Sequence, residues 1–143
     1  MLISQMLRLK GADVATIQPG AAVTDVVGAL AEHGVGALVV SSDGTTIEGI
    51  ISERDVVRSL ATNGTDALKM TVADVMTADV VTCDLAATTE QLMAEMTQRR
   101  FRHIPVVEDG KLAGIVSIGD VVNARVGELE TERQQLTDYI SGR

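Results

Sequence analysis

The chain has 143 residues, a formal net charge of −8 and 45% hydrophobic side chains, the profile of one globular domain or of two small halves sharing a core. The acidic balance and the near absence of aromatic residues (one Phe, one Tyr) argue against a nucleic-acid surface, which needs a basic field and stacking platforms. One cysteine and two histidines leave no internal disulfide and no zinc ribbon, and no apolar run nears the roughly 18–20 residues that span a bilayer.

Residues 1–11 read as a short helical turn with Arg8 and Lys10, without an apolar stretch followed by a small-residue cleavage site. The expectation is a cytoplasmic chain that does not engage a membrane. A small strand at 14–17 precedes an amphipathic helix, whose apolar positions 23, 26, 27 and 30 recur at helical spacing. A buried strand at 37–40, an Asp43-Gly44 turn and a partner strand at 47–51 read as a hairpin. A helix starts at Ser52, and Asn63-Gly64 stops it. The same order then recurs: a turn at 72–76, a strand at 80–83, and a helix with apolar positions 92, 93 and 96. A strand at 104–107, an Asp109-Gly110 turn, a strand at 112–116 and a helix from Ser117 complete it.

The recurrence is a sequence repeat. Residues 49–57, GIISERDVV, lie over 114–122, GIVSIGDVV, with six of nine positions identical. Upstream the register continues with one residue of difference in the hairpin turn. Residues 3–7 resemble 72–76, with three extra residues before Val14. Each unit is β-α-β-β-α, giving a mixed α/β fold. A three-stranded sheet with one apolar face cannot close a core alone, so the units must pack together, with pseudo-twofold symmetry and clefts along the join. The organisation is repeat 1 over 1–62, a linker over 63–71, repeat 2 over 72–126 and a helical tail over 127–143. Val126, Leu129, Leu136 and Ile140 share one stripe of the tail, interrupted by Arg133. Packing on the chain's own domain and contact with a second copy are both open readings of that stripe.

Ser52-Glu53-Arg54-Asp55 and Ser117-Ile118-Gly119-Asp120 are the sharpest motifs. S-x-x-D opening a helix is a capping box, which satisfies orphan N–H groups. Here the motif also follows Gly-apolar-apolar, at a strand-to-helix junction where α/β proteins bind ligands and where N–H groups await phosphate. An Asp carboxylate can accept from both hydroxyls of a ribose and still cap, since it offers about four lone-pair sites. Arg99, Arg100 and Arg102 cluster beside His103. They read either as a solvated helix end or as phosphate ligands, and Arg54 is a second phosphate candidate.

The doubled unit resembles a pair of CBS (cystathionine-β-synthase) domains, a Bateman module, over roughly residues 3–126. The carriers are the two G-h-h-S-x-x-D stretches and the second-strand motif Arg102-His103-Ile104-Pro105-Val106-Val107. The resemblance implies a stand-alone regulatory module that binds AMP, ADP or ATP, or sometimes NAD or S-adenosylmethionine, between its repeats, dimerises, and serves a regulated protein. By the same resemblance Asp55 and Asp120 would hold ribose hydroxyls, with Ser52 and Ser117 at ribose or phosphate. Thr16, Ile17, Val80 and Thr82 would line the adenine pocket. The backbones of Gly36, Ala37 and Leu38, and of His103, Ile104 and Pro105, would read adenine. A proline in a sheet leaves neighbouring backbone groups unpaired, which supports a ligand near Pro105.

The two copies differ: Gly36, Ala37 and Val39 stand where repeat 2 has Arg102, His103 and Pro105, and Gly119 stands where repeat 1 has Arg54. Unequal sites follow, with the Asp120 site expected to be the better one. No Ser/His/Asp or Cys/His arrangement and no Walker loop suggests an enzyme, and no cofactor or metal is expected. Slow nucleotide hydrolysis and a purely structural dimerisation module are the competing functions.

Overall fold

The computed structural model describes residues 1–142. Helix α1 (Ile3–Lys10) leads into β1 (Thr16–Ile17), α2 (Val23–His33), β2 (Ala37–Val40), β3 (Gly49–Ser52) and α3 (Glu53–Asn63). A 3₁₀ turn (Gly64–Lys69) connects to α4 (Val72–Val75), α5 (Thr89–Arg99), β4 (His103–Glu108), β5 (Lys111–Ser117) and α6 (Ile118–Ile140). In the first sheet β2 lies centrally, parallel to β1 and antiparallel to β3. The second sheet pairs β4 with β5 antiparallel. Ser52 and Ser117 are the N-caps of α3 and α6, and each accepts the backbone N–H of the Asp three residues on.

The first strand of each unit is shorter than expected. The reading 14–17 contracts to Thr16–Ile17, and 80–83 contracts to a single parallel bridge between Cys83 and Val106. Proline explains the second case. In repeat 1 the Val39 N–H donates to the Ala15 carbonyl at 3.2 Å. The equivalent donor in repeat 2 is Pro105, which has no N–H, so the rung to Val81 cannot form. Only the Cys83 N–H to Pro105 O (3.1 Å) and Val107 N–H to Cys83 O (2.8 Å) bonds remain.

Each core borrows a helix from the other half of the chain. Val23, Val26, Leu30, Leu38, Val40, Ile51 and Val56 of repeat 1 bury Val72 of α4. Leu92, Met96, Ile104, Val106, Val116 and Val121 of repeat 2 bury Ile3, Met6 and Leu7 of α1. The exchange is symmetric down to its backbone bonds: Ile3 N–H donates to Ala87 O at 2.9 Å, and Val72 N–H to Ala21 O at 2.8 Å. The glycine that opens each G-h-h-S-x-x-D motif receives the incoming helix. A Cβ on Gly114 would lie 2.8 Å from Leu7 Cδ1, and one on Gly49 would lie 2.5 Å from Met76 Sδ. Each apolar side chain so buried contributes roughly 1.5–3 kcal/mol, so neither unit completes its core without the other.

The two borrowed helices differ in length, and this breaks the symmetry. After α4 the chain turns at once into an extended pair: Thr77 and Ile50 exchange both backbone bonds at 2.9 Å. The three extra residues after α1 instead lengthen that helix to eight residues, ending at Lys10. The tail stays helical to Ile140, as the periodicity predicts. Its stripe does not pack on its own domain: Leu129, Leu136 and Ile140 are exposed, and Val121 is the buried residue of the helix.

Candidate functional site

A cavity of about 540 Å³ opens along the seam between the repeats. Repeat 1 supplies Gly36, Ile50, the start of α3 from Ser52 to Asp55, and Arg58. The second half supplies the extended segment Thr77, Asp79, Val80 and Val81, and the α5–β4 junction from Arg99 to His103. The Thr77–Ile50 pair carries the first of these segments against β3, and the αL turn at Arg100 carries the second.

Asp55 caps α3 with one carboxylate oxygen and leaves the other unpaired. Its Oδ2 accepts from the Ser52 N–H (2.8 Å) and the Ser52 hydroxyl (3.0 Å), closing the cap. Its Oδ1 takes no hydrogen bond among the described residues and is available to a ligand. Five arginines line the same cavity (Arg54, Arg58, Arg99, Arg100 and Arg102) against the acids Glu53, Asp55 and Asp79. The cavity therefore carries net positive charge in a chain of net charge −8. Arg54 ties the halves together, donating from Nη1 to the Arg100 carbonyl at 3.2 Å. Arg100 itself sits at φ 60° and ψ 34°, the left-handed region, where its repeat-1 counterpart Gly34 sits at φ 63° and ψ 37°. Gly36 lets the halves meet: a Cβ there would lie 2.8 Å from Glu53 Oε1 and 3.3 Å from the His103 ring. His103 is half-buried, and that burial lowers its pKa below the usual 6.5 despite the nearby Glu53. The imidazole is therefore neutral at pH 7.

The Asp120 side is built differently. The extra turn of α1 sets Lys10 Nζ on the Ile115 carbonyl (2.7 Å) and in an ion pair with Asp120 Oδ2. Ile115 is the counterpart of Ile50, so an ammonium takes the carbonyl that a backbone N–H takes in repeat 1. Burial raises the Asp120 pKa, but the Lys10 and Ser117 hydrogen bonds outweigh it and hold the carboxyl below its usual range. The cavity beside Asp120, about 570 Å³, is lined by Lys10, Glu128 and Glu132 and by no arginine. The expectation favours the Asp120 site, whereas the arginines gather around Asp55. Arg99–His103 share a repeat with Asp120, yet the fold delivers them across the seam to Asp55.

Of the residues expected at the site, Gly36, Ser52, Arg54, Asp55, Val80, Arg100, Arg102 and His103 come together in the seam cavity. Ser117 caps α6 and Asp120 pairs with Lys10, away from it. Thr16 and Thr82 are exposed outside it, and Ile17 packs against the first core. Leu38 is paired with Ile51 in the ladder, whereas β1 begins opposite Val39 and no backbone bond joins Ala37 to that side among the described residues. Ile104 is buried and pairs with Val116. The Pro105 carbonyl is used by Cys83. What Pro105 frees is the carbonyl of Val81, a residue that lines the cavity; that carbonyl takes no backbone hydrogen bond among the described residues. Cys83 packs against the second core, and burial pushes its thiol up to about 11. Sequence reasoning missed Glu53, Arg58, Thr77, Asp79, Val81 and Phe101 at the cavity. Arg58 was discoverable, because its counterpart in repeat 2 is Asn123.

Fold and cavity together define a duplicated α/β module with a cationic cleft at its seam. The CBS domain model matches twice, over residues 7–62 and 72–127, and the chain belongs to the CBS domain family. It is 42% identical over 124 residues to the CBS domain-containing protein CBSX3, mitochondrial, of Arabidopsis thaliana, covering 84% of this chain and 60% of that relative's length. The crystal structure of the CBS-domain containing protein ATU1752 from Agrobacterium tumefaciens superposes with a TM-score of 0.84 at 46% identity, covering 87% of this chain and 99% of that one. The CBS domain pair of protein MJ0100, in complex with 5′-methylthioadenosine and S-adenosyl-L-methionine, shares the fold at 23% identity and a TM-score of 0.78, over 90% of this chain and 98% of that one. Among the described residues, no helix is long and apolar enough to cross a membrane.

Proposed function

We propose that the chain is a non-catalytic regulatory module that binds a phosphorylated adenosine compound (AMP, ADP, ATP or NAD) in the seam cavity. The carrying observation is the concentration of five arginines around one carboxylate whose Oδ1 is unpaired. A ribose places two donors at Asp55, and the arginines suit phosphate oxygens, which guanidinium groups bind in paired hydrogen bonds. The Val81 carbonyl is an acceptor suited to a 6-amino group, which adenine has and hypoxanthine and guanine lack. That an adenosine ligand suits this fold is supported by the MJ0100 complex. Regulation follows by linkage: a nucleotide that spans the seam favours whichever arrangement of the repeats it fits better, by its difference in affinity for the two. The readout falls to a regulated protein or to a second copy of the chain.

The test is a thermal-shift panel of AMP, ADP, ATP, NAD, IMP and GMP, with chromatography of the nucleotides after incubation. A ligand at 100 times its dissociation constant adds about 2.7 kcal/mol of stability. The adenine compounds should raise Tm, IMP and GMP should not, and ATP should be recovered intact. A flat panel would refute binding, and ADP released in proportion to protein would refute a non-catalytic module.

A further inference from the structure

The seam cavity holds more guanidinium charge than one phosphate can answer. Of its five arginines, Arg54 spends Nη1 on the Arg100 carbonyl, and Arg99 pairs with Glu95 at 3.9 Å. Arg58, Arg100 and Arg102 are exposed, and their guanidiniums meet no carboxylate and no carbonyl among the described residues. Glu53 and Asp79 line the same cavity, yet neither forms an ion pair with an arginine among those residues. A phosphate monoester carries at most about two negative charges on its terminal oxygens. Three unpaired guanidiniums exceed that by one.

Helix α3 sets the surplus charge at a definite distance. Arg54 and Arg58 are four residues apart on one face of the helix, with Asp55 between them in sequence. The Arg54 guanidinium lies against the backbone of Arg100, on the far wall of the seam. Arg58 continues the cationic wall one helical turn further, about 6 Å along the axis. Repeat 2 has Asn123 at the corresponding position, so the extension belongs to the Asp55 side alone. A ligand that matches this wall carries a second phosphate beyond the one bound to its ribose. Resting on the reading of the seam as an adenosine phosphate site, we propose that Arg58 is a specificity-determining residue. It binds the phosphate beyond the first, and so selects adenosine with a chain of two or more phosphates, ADP or ATP, over AMP.

Calorimetric titration of AMP and of ADP, in metal-free buffer, into wild type, Arg58→Ala and Arg58→Lys tests this. Wild type should bind ADP at least about tenfold more tightly than AMP, the effect of one charge-assisted contact. Arg58→Ala should bring the two affinities within about twofold of each other. Arg58→Lys keeps the charge but loses the planar fork, so its preference for ADP should fall between those of the other two proteins. The unliganded Tm of both variants should stay near wild type, because Arg58 is exposed and its guanidinium holds no partner in the fold. Equal affinity for AMP and ADP in wild type, or a preference for ADP that Arg58→Ala keeps, would overturn the proposal and leave the seam site standing. If wild type binds neither nucleotide, the seam reading falls and the proposal with it.

Discussion

Replacing Arg100 by glycine should make the protein more stable and its ligand weaker, two effects of opposite sign from one residue. Arg100 ends α5 in the left-handed region, which costs an L-residue about 1–2 kcal/mol relative to right-handed backbone. Glycine removes that cost and returns about 0.5–1 kcal/mol through the greater freedom of the unfolded chain. The net gain is about 0.5–1 kcal/mol, or roughly 2–5 °C in Tm for a chain of this size. The bond from Arg54 survives, because its acceptor is the Arg100 backbone carbonyl. The guanidinium at the cavity wall does not survive, and AMP affinity should fall about tenfold. Arg100→Ala separates the two effects, since alanine keeps the strain and loses the charge: its Tm should stay near wild type while its affinity falls. Thermal unfolding without ligand and calorimetric titration with AMP measure both quantities. A lower Tm for Arg100→Gly would refute the strain, and unchanged affinity in both variants would refute the role in phosphate capture.

Other perturbations probe the exchanged helices and the unequal sides. Gly114→Ala forces a Cβ against Leu7 and should cost about 1–3 kcal/mol in urea unfolding, with much of it recovered when Leu7→Ala is added. Ile3→Ala should cost about 2–5 kcal/mol by the same measurement, although Ile3 lies far in sequence from the core it fills. Lys10→Met should leave the seam cavity unchanged and free Asp120; a second, weaker binding event in calorimetry is the expected outcome. His103 gives a pH signature. Its folded pKa is lowered, so between that value and about 6.5 the unfolded chain binds the extra proton, and stability should rise with pH across that window. A bound phosphate favours the imidazolium, so nucleotide binding below pH 6.5 should take up a proton. Titrations in buffers of different ionisation enthalpy read that uptake directly.

Most of the fold was legible because the repeat doubles every signal. The hairpins, the capping serines and the long last helix each occur where period and turn chemistry place them. The exchange of α1 and α4 was not legible. Residues 3–7 and 72–76 show the same apolar pattern, and nothing in that pattern says which core each will fill. The same blindness hid which carboxylate the arginines meet. Arg99, Arg100 and Arg102 share a repeat with Asp120, yet the seam carries them to Asp55, and sequence neighbourhood is no guide to what lies across a twofold. The five cavity arginines align with His33, Gly34, Gly36, Gly119 and Asn123, so all of the basic charge falls on one side of the pseudo-twofold. The role of Pro105 was half visible: a missing N–H could be foreseen, but that it unpairs Val81 and not its own neighbours depends on the parallel register with β4.

The most direct measurement is calorimetric titration of AMP into wild type, Asp55→Asn and Asp120→Asn. One site filled in the wild type, lost in Asp55→Asn and kept in Asp120→Asn is the result that a cross-repeat cleft at Asp55 predicts. Loss in Asp120→Asn with normal binding in Asp55→Asn would contradict it.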